Sequence, residues 1–238
     1  MAEVTKFRFG NTYPDDLYAG NSLVDRVYYG SELVYGFAPP IQIELVEVIS
    51  FVNNTGGNIP NYVDDTYFAV LSELAYNTIS ITTPPTGWNI LAQNLSLQFK
   101  LTASYKILSV SDRGTAVGYT DGSNVDYDQL YIFKKVSNKQ ILSISSGNFG
   151  FVNTNTTITI NAPILEPDQA GISFYYGYSN SPNSETVSNP TSDQTIYHDT
   201  LNYIAGQYTI WDSLSSPVNT EYGINDGISQ MAFWIIVE

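Results

Sequence analysis

The chain has no cysteine among its 238 residues. Disulfides and thiolate metal sites are therefore excluded. Basic residues are scarce: 9 Lys and Arg stand against 23 Asp and Glu, a formal net charge of −14. No basic patch exists to neutralise phosphates, so no nucleic acid is expected as a partner. The same repulsion disfavours anionic membrane surfaces. No apolar run approaches the ~18 residues that a membrane helix needs, so no membrane insertion is expected. The N-terminal "MAEVTKFRFG" lacks the apolar stretch of a secretion signal, which places synthesis and any assembly in a cytoplasm. Charge of either sign is thin, at 13% of residues, about half the usual share.

What is present is apolar and aromatic. Hydrophobic residues make up 43% and aromatics 14%, with 19 Tyr. That is enough for a core, and it favours strands, because flat rings pack well on a pleated surface. The surface must then be built from Ser, Thr, Asn, Gln and Tyr. An acidic surface of this kind suits a particle that stays soluble in salty water.

A 3.6-residue apolar period with caps appears nowhere. Short apolar runs bounded by Gly, Pro, Asn and Asp predict strands over residues 43–52, 66–74, 78–82, 88–95, 99–108, 115–120 and 128–136. Further runs predict strands over 140–146, 156–161, 171–179, 206–213 and 230–238. About a dozen strands at such spacings read as an all-β, antiparallel β-sandwich. The paired prolines of "GFAPP" mark a linker over residues 37–40, because proline stops strand pairing and stiffens a joint. The body is then 41–238. The Ser/Asn/Pro-rich stretch 179–194 reads as a long exposed loop.

Residues 1–36 form a separate small β appendage. Glycines fall at Gly10, Gly20 and Gly30, and each follows a β-prone run, "FRF", "LYA" or "VYY". Thirty residues of short strands cannot bury a core alone. The apolar positions Leu17, Leu23, Val27, Tyr28, Leu33 and Val34 are therefore expected to dock on a partner surface.

Candidate chemistry is sparse. The single histidine, His198, sits beside Asp199. Neighbours on a strand point to opposite faces, so this is a poor base–orienter pair, and no nucleophile elbow accompanies it. "TDGSNVDYDQ" over residues 120–129 groups Asp121, Asn124, Asp126 and Asp128. Oxygen ligands at alternate positions suit calcium, but the EF-hand glycine and distal Glu are missing. An Asp-Gly hairpin turn explains the stretch equally well. No catalytic residue, metal or cofactor is assigned. Among 23 carboxylates a glycosidase pair is open, since the chemistry needs two about 5–10 Å apart in a cleft. Trp88 and Trp234 read as core or end plugs, and Trp211 as facing either way. Tyr175, Tyr176, Tyr178 and Trp211 are the aromatic candidates for stacking on a sugar.

The body resembles a group of bacteriophage tail and virion-surface domains with a jelly-roll-like fold. The matching pieces are "VDDTYFAVLSEL", "TPPTGWNIL", "TASYKILS", "GISFYYGYS" and "MAFWIIVE". The most specific are Pro85–Trp88 and Tyr105–Lys106, and the resemblance covers about Ile41 to Glu238. Asp64-Asp65 stands where many members have Gly-Asp. "GNSLVDRVYYGSELVYG" is similar to short phage modules of the pattern G-x-x-x-V-x-x-V-Y-x-G-x-x-x-V-W, with Tyr35 in place of Trp. The resemblance implies a non-enzymatic virion structural protein, tail-associated, attached by its N-terminal module with the sandwich projecting toward host surface glycan. Its partners would be other virion proteins and further copies of itself, a trimer being favoured. A capsid decoration protein is the alternative, and a free carbohydrate-binding module or glycosidase comes after it.

Overall fold

The computed structural model describes residues 18–19, 22–23, 26–29, 32–36, 43–52, 57–76, 83–94, 99–119, 125–136, 141, 144–152, 158–161, 165, 169–179, 195–199, 204–211, 219–222 and 227–238. For residues 18–36 the description is of the backbone alone. The chain divides into two compact units, Met1–Pro39 and Pro40–Glu238. Strands dominate, pairing is antiparallel throughout, and no α-helix occurs among the described residues.

The first unit contains two separate ladders. β1 (Tyr18–Ala19) pairs with β2 (Ser22–Leu23). β3 (Arg26–Tyr29) pairs with β4 (Glu32–Gly36), and the register breaks where Val27 faces Tyr35 and Tyr28 faces Leu33. Val34 is the residue left over, a bulge that bends the pair. Of the expected docking positions, Leu23, Val27, Tyr28, Leu33 and Val34 lie on these ladders. Leu17 falls outside the described residues.

The second unit holds two five-stranded sheets and a small ladder. The first sheet uses β5 (Ile43–Val52), β6 (Tyr67–Tyr76), β7 (Asn89–Asn94), β8 (Phe99–Ile107) and β9 (Val125–Lys135), in the order β5-β9-β6-β8-β7. The second uses β10 (Ile144–Val152), β12 (Ala170–Ser179), β13 (Thr195–Asp199), β14 (Ile204–Trp211) and β16 (Gly227–Val237), in the order β10-β16-β12-β14-β13. β11 (Ile158–Asn161) pairs with β15 (Asn219–Tyr222) as a ladder of two.

One core joins the two sheets. Phe68, Val70, Tyr131 and Phe133 from the first meet Ile172, Phe174, Phe233 and Ile235 from the second. Both sheets also bury their other faces. Tyr67, Ala69, Leu71, Leu130 and Ile132 are covered by Ile59, Val63, Leu108, Val117 and Tyr119. Tyr175, Ala232 and Trp234 are covered by Ile158, Ile160 and Leu165. This explains why β6 reads "YFAVLSELAY", apolar at successive positions: a strand buried on both faces has no polar side to show.

The cover over the first sheet is held by backbone bonds. Ile59 N–H donates to Thr115 O at 2.9 Å, Gly114 N–H to Ile59 O at 2.8 Å and Val117 N–H to Gly57 O at 2.9 Å. The strand expected over 115–120 is thus reduced to one bridge between Asn58 and Ala116. Gly114, at φ 68°, turns the chain into that contact.

Candidate functional site

Tyr175 and Tyr176 cannot stack on a sugar, because they are 0% and 1% exposed. They are neighbours on β12, so their rings enter opposite faces, and both faces of that strand are covered. The Tyr175 hydroxyl donates to Gln230 Oε1 at 2.9 Å on one side, and the Tyr176 hydroxyl to Tyr127 O at 3.0 Å on the other. Trp211 is half-buried. Its indole N–H donates to Ser173 Oγ at 3.1 Å, and its ring lies 5.5 Å from that of Trp234. Trp88 and Trp234 are buried in the outer clusters of the two sheets. The side chains of Tyr178, His198 and Asp199 lie outside the described residues.

A different tyrosine is presented to solvent. Tyr62 belongs to the cover over the first sheet and is 42% exposed. Its hydroxyl donates to Glu47 Oε2 at 2.7 Å. Glu47 reaches it because β5 carries an extra residue, Val46: Leu45 faces Phe133 and Glu47 faces Ile132. Ile132 points to the covered outer face, so the bulge aims the Glu47 carboxylate at the cover. Burial first, and then the Glu47 carboxylate, push the Tyr62 phenol far above its ordinary value. It stays a neutral donor throughout the working pH range.

The neighbours make this a small platform. The Tyr67 ring lies 5.7 Å from that of Tyr62, tilted by 52°. The Lys134 ammonium stands 5.5 Å from the centre of the Tyr67 ring, a cation–π distance. The Arg113 Nε–H donates to Val63 O at 2.7 Å, fastening the next residue of the loop. Asp64 accepts from the Thr66 N–H at 2.9 Å and its hydroxyl at 2.6 Å. These two Thr66 bonds, the larger from the hydroxyl, hold the Asp64 carboxyl below its usual range despite a small opposing effect of burial. The arrangement is one exposed tyrosine ring fixed by its own hydroxyl on a carboxylate, with a buried second ring tilted against it and an ammonium over that second ring. That is the layout by which a protein holds a polyhydroxylated ring: an apolar face to cover C–H groups and polar groups at the edge for hydroxyls.

Sequence reasoning did not single out Tyr62. The one local signal is an aromatic inside the turn-rich "NIPNYVDDT". Its anchor, Glu47, is 15 residues away on β5, whereas Tyr62 lies in a turn.

A second polar cluster is internal. Glu73 and Asp128 face each other across β6 and β9 and are 0% and 1% exposed. Tyr119 lies close to both, and its hydroxyl donates to Leu71 O at 2.8 Å and accepts from Ser104 Oγ at 2.8 Å. Of the calcium candidates, Asp128 is therefore a buried strand residue and Asp126 is placed on β9. Asp121 and Asn124 fall outside the described residues. No group of three or more Asp, Glu, His or Cys able to hold a metal occurs among the described residues. No helix long and apolar enough to cross a membrane occurs among the described residues.

No family model matches this chain, and neither a curated protein nor a solved structure matches it.

Proposed function

We propose that this chain is a bacteriophage virion structural protein, tail-associated, that attaches to the particle by its N-terminal module and projects a β-sandwich toward the host surface. The observation that carries this reading is the division at Pro39/Pro40 into a small unit of two-stranded ladders and a large β body. A short module with strands but too few residues for its own core needs a partner surface. The sandwich class is supported by the single core that two five-stranded sheets share. Consecutive large strands stay within one sheet, whereas a jelly roll passes them back and forth between its two sheets. The finer class offered is therefore a two-sheet sandwich without the strand exchange of a jelly roll. Identical copies would gain avidity on a repetitive surface, so a homo-oligomer, a trimer first, belongs to the proposal. No enzymatic step belongs to it. A capsid decoration protein remains the alternative, differing only in what the module touches.

Host glycan is the proposed surface ligand, and the Tyr62 platform replaces the buried Tyr175–Tyr176 pair as its contact. Two measurements test the proposal. Deleting residues 1–36 should leave a cooperatively melting body that no longer enters particles; normal incorporation overturns the anchor. On a glycan array, Tyr62→Ala should lose at least about tenfold in any sugar binding of the intact chain. Binding unchanged in that variant removes the platform from the proposal.

A further inference from the structure

The two large sheets share one connectivity. Numbered by position in the chain, the strands of the first sheet lie in the order first, fifth, second, fourth, third: β5-β9-β6-β8-β7. The second sheet, β10-β16-β12-β14-β13, reads the same way. β11 and β15 are inserted between its strands and, among the described residues, pair with each other alone. Neither order is the simple meander that hairpins alone would produce.

The correspondence extends to residues. The second strand of each sheet pairs a phenylalanine with one on the fifth: Phe68 with Phe133, and Phe174 with Phe233. Both pairs are stacked, at 5.1 Å and 12° and at 5.1 Å and 9°. Continuing outward, Phe133 faces Leu45 on β5 and Phe233 faces Phe149 on β10. Both first strands break register beside that residue, between Leu45 and Glu47 and between Ser146 and Phe149.

The sheets also face each other in one particular sense. β12 lies against β6, β16 against β8 and β7, and β10 against β7. Phe133 of β9 meets Tyr208 of β14 at 5.6 Å. The strand order therefore runs in opposite directions across the core. Phe174 reaches Phe133 at 5.6 Å, and two residues on Tyr176 reaches Tyr127. β12 thus advances as β9 recedes, in the same direction as β6. Reversed order with unchanged direction is a rotation by half a turn about an axis parallel to the strands, between β6 and β12.

We infer that residues 43–135 and 144–237 are two copies of one structural unit, and that each inner face is a docking surface whose partner is the other copy. The body is then a tethered dimer with an isologous interface. The copies differ on their outer faces, where one is covered by loops and the other by the β11–β15 ladder. The shared inner faces keep the matched Phe stacks.

The rotation dictates the connections. Ile43 faces Lys135, and Ile144 faces Val237, so all four ends lie at one end of the body. A half-turn makes the step from Lys135 to Ile144 equal to the step from Val237 to Ile43. Exchanging the two segments as blocks, with residues 1–42, 136–143 and 238 left in place, should therefore give a chain that folds. The expected result is native strand circular dichroism and a cooperative melt within about 10 °C of the parent. A second measurement uses the parent with a protease site inserted after Val136. Cleaved after folding, its fragments should co-elute. Unfolded together in urea and diluted, the two fragments should return to one co-eluting complex with native strand circular dichroism. An exchanged chain without a cooperative melt overturns the inference, and so do fragments that fail to reassociate.

Discussion

Asp112 ties a surface turn to a central strand. Its Oδ1 accepts from the Lys106 ammonium at 2.6 Å, and its Oδ2 accepts from the Ser109 N–H and hydroxyl, each at 2.9 Å. Burial alone would raise its carboxyl, but these bonds and the Lys106 charge outweigh it and hold the group below its usual range. A carboxyl depressed in the folded state contributes stability above its unfolded value, and that stability is lost as pH falls through the folded value. Asp112→Asn should cost about 1–2 kcal/mol at pH 7 by urea denaturation, the worth of charge-assisted bonds at a mostly buried group. The gap between variant and parent should close at low pH, once Asp112 is protonated in both folded and unfolded chains. A gap that stays constant from pH 7 down to strong acid would show that the bonds do not depend on the charge. Tyr119 makes the matching case in the interior. Burial pushes its phenol well above the ordinary value, with Glu73 and Asp128 adding to that and Ser104 opposing it. It is a permanent donor to Leu71 O, and Tyr119→Phe should cost about 1–2 kcal/mol with no pH dependence near neutrality.

Among the elements, the turn before β7 carries its own rule. Trp88 N–H donates to Pro85 O at 3.0 Å, and Gly87 between them has φ 82°. That is the third position of a type II turn, where only glycine is unstrained. A Cβ there would meet nothing closer than Lys106 Nζ at 3.6 Å, so space is not the obstacle. Gly87→Ala should cost about 1–2 kcal/mol through backbone strain alone, read as a lower urea midpoint with an unchanged slope. This turn was legible in "PPTGW", as was β5, whose bounds at 43 and 52 agree with the sequence pattern. Elements failed to show where their reason was distant or polar. β15, "NTEY", carries no apolar run, and its only pairing among the described residues is with β11, over 50 residues away in the sequence. β13 follows the Ser/Asn/Pro-rich stretch and carries only "TIYHD". β10 runs over Ile144–Val152 instead of the expected 140–146, since Gly147 and Gly150 read as breakers and the register break beside them is invisible in one chain. The sheet order was not legible at all, because it rests on pairs as distant as Ile43 with Lys135. The Tyr62 platform was missed for the same reason, and Tyr175 and Tyr176 were misread because a cover on both faces of β12 leaves no local trace.

At the scale of the whole molecule, a net charge of −14 with only 9 basic residues means that most carboxylates have no cation to face. Lys106 with Asp112 is a cation that does face its carboxylate, at 2.6 Å. The unbalanced charges repel each other more in the folded chain than in the expanded one, so self-repulsion opposes folding. Salt weakens that repulsion: the screening length falls from about 30 Å at 0.01 M to about 8 Å at 0.15 M. Raising sodium chloride from about 10 mM to about 150 mM at pH 7 should therefore raise the melting midpoint, by about 2–4 °C for each kcal/mol of repulsion relieved in a chain of this size. Strengthened apolar burial would act in the same direction, and pH separates the two causes. Near the isoelectric point, about 4.1, the net repulsion vanishes while apolar burial does not. The salt response should disappear there if repulsion is the cause. A response of equal size at both pH values would assign it to the core shared by the two sheets, and would leave the acidic surface with no part in the stability of the fold.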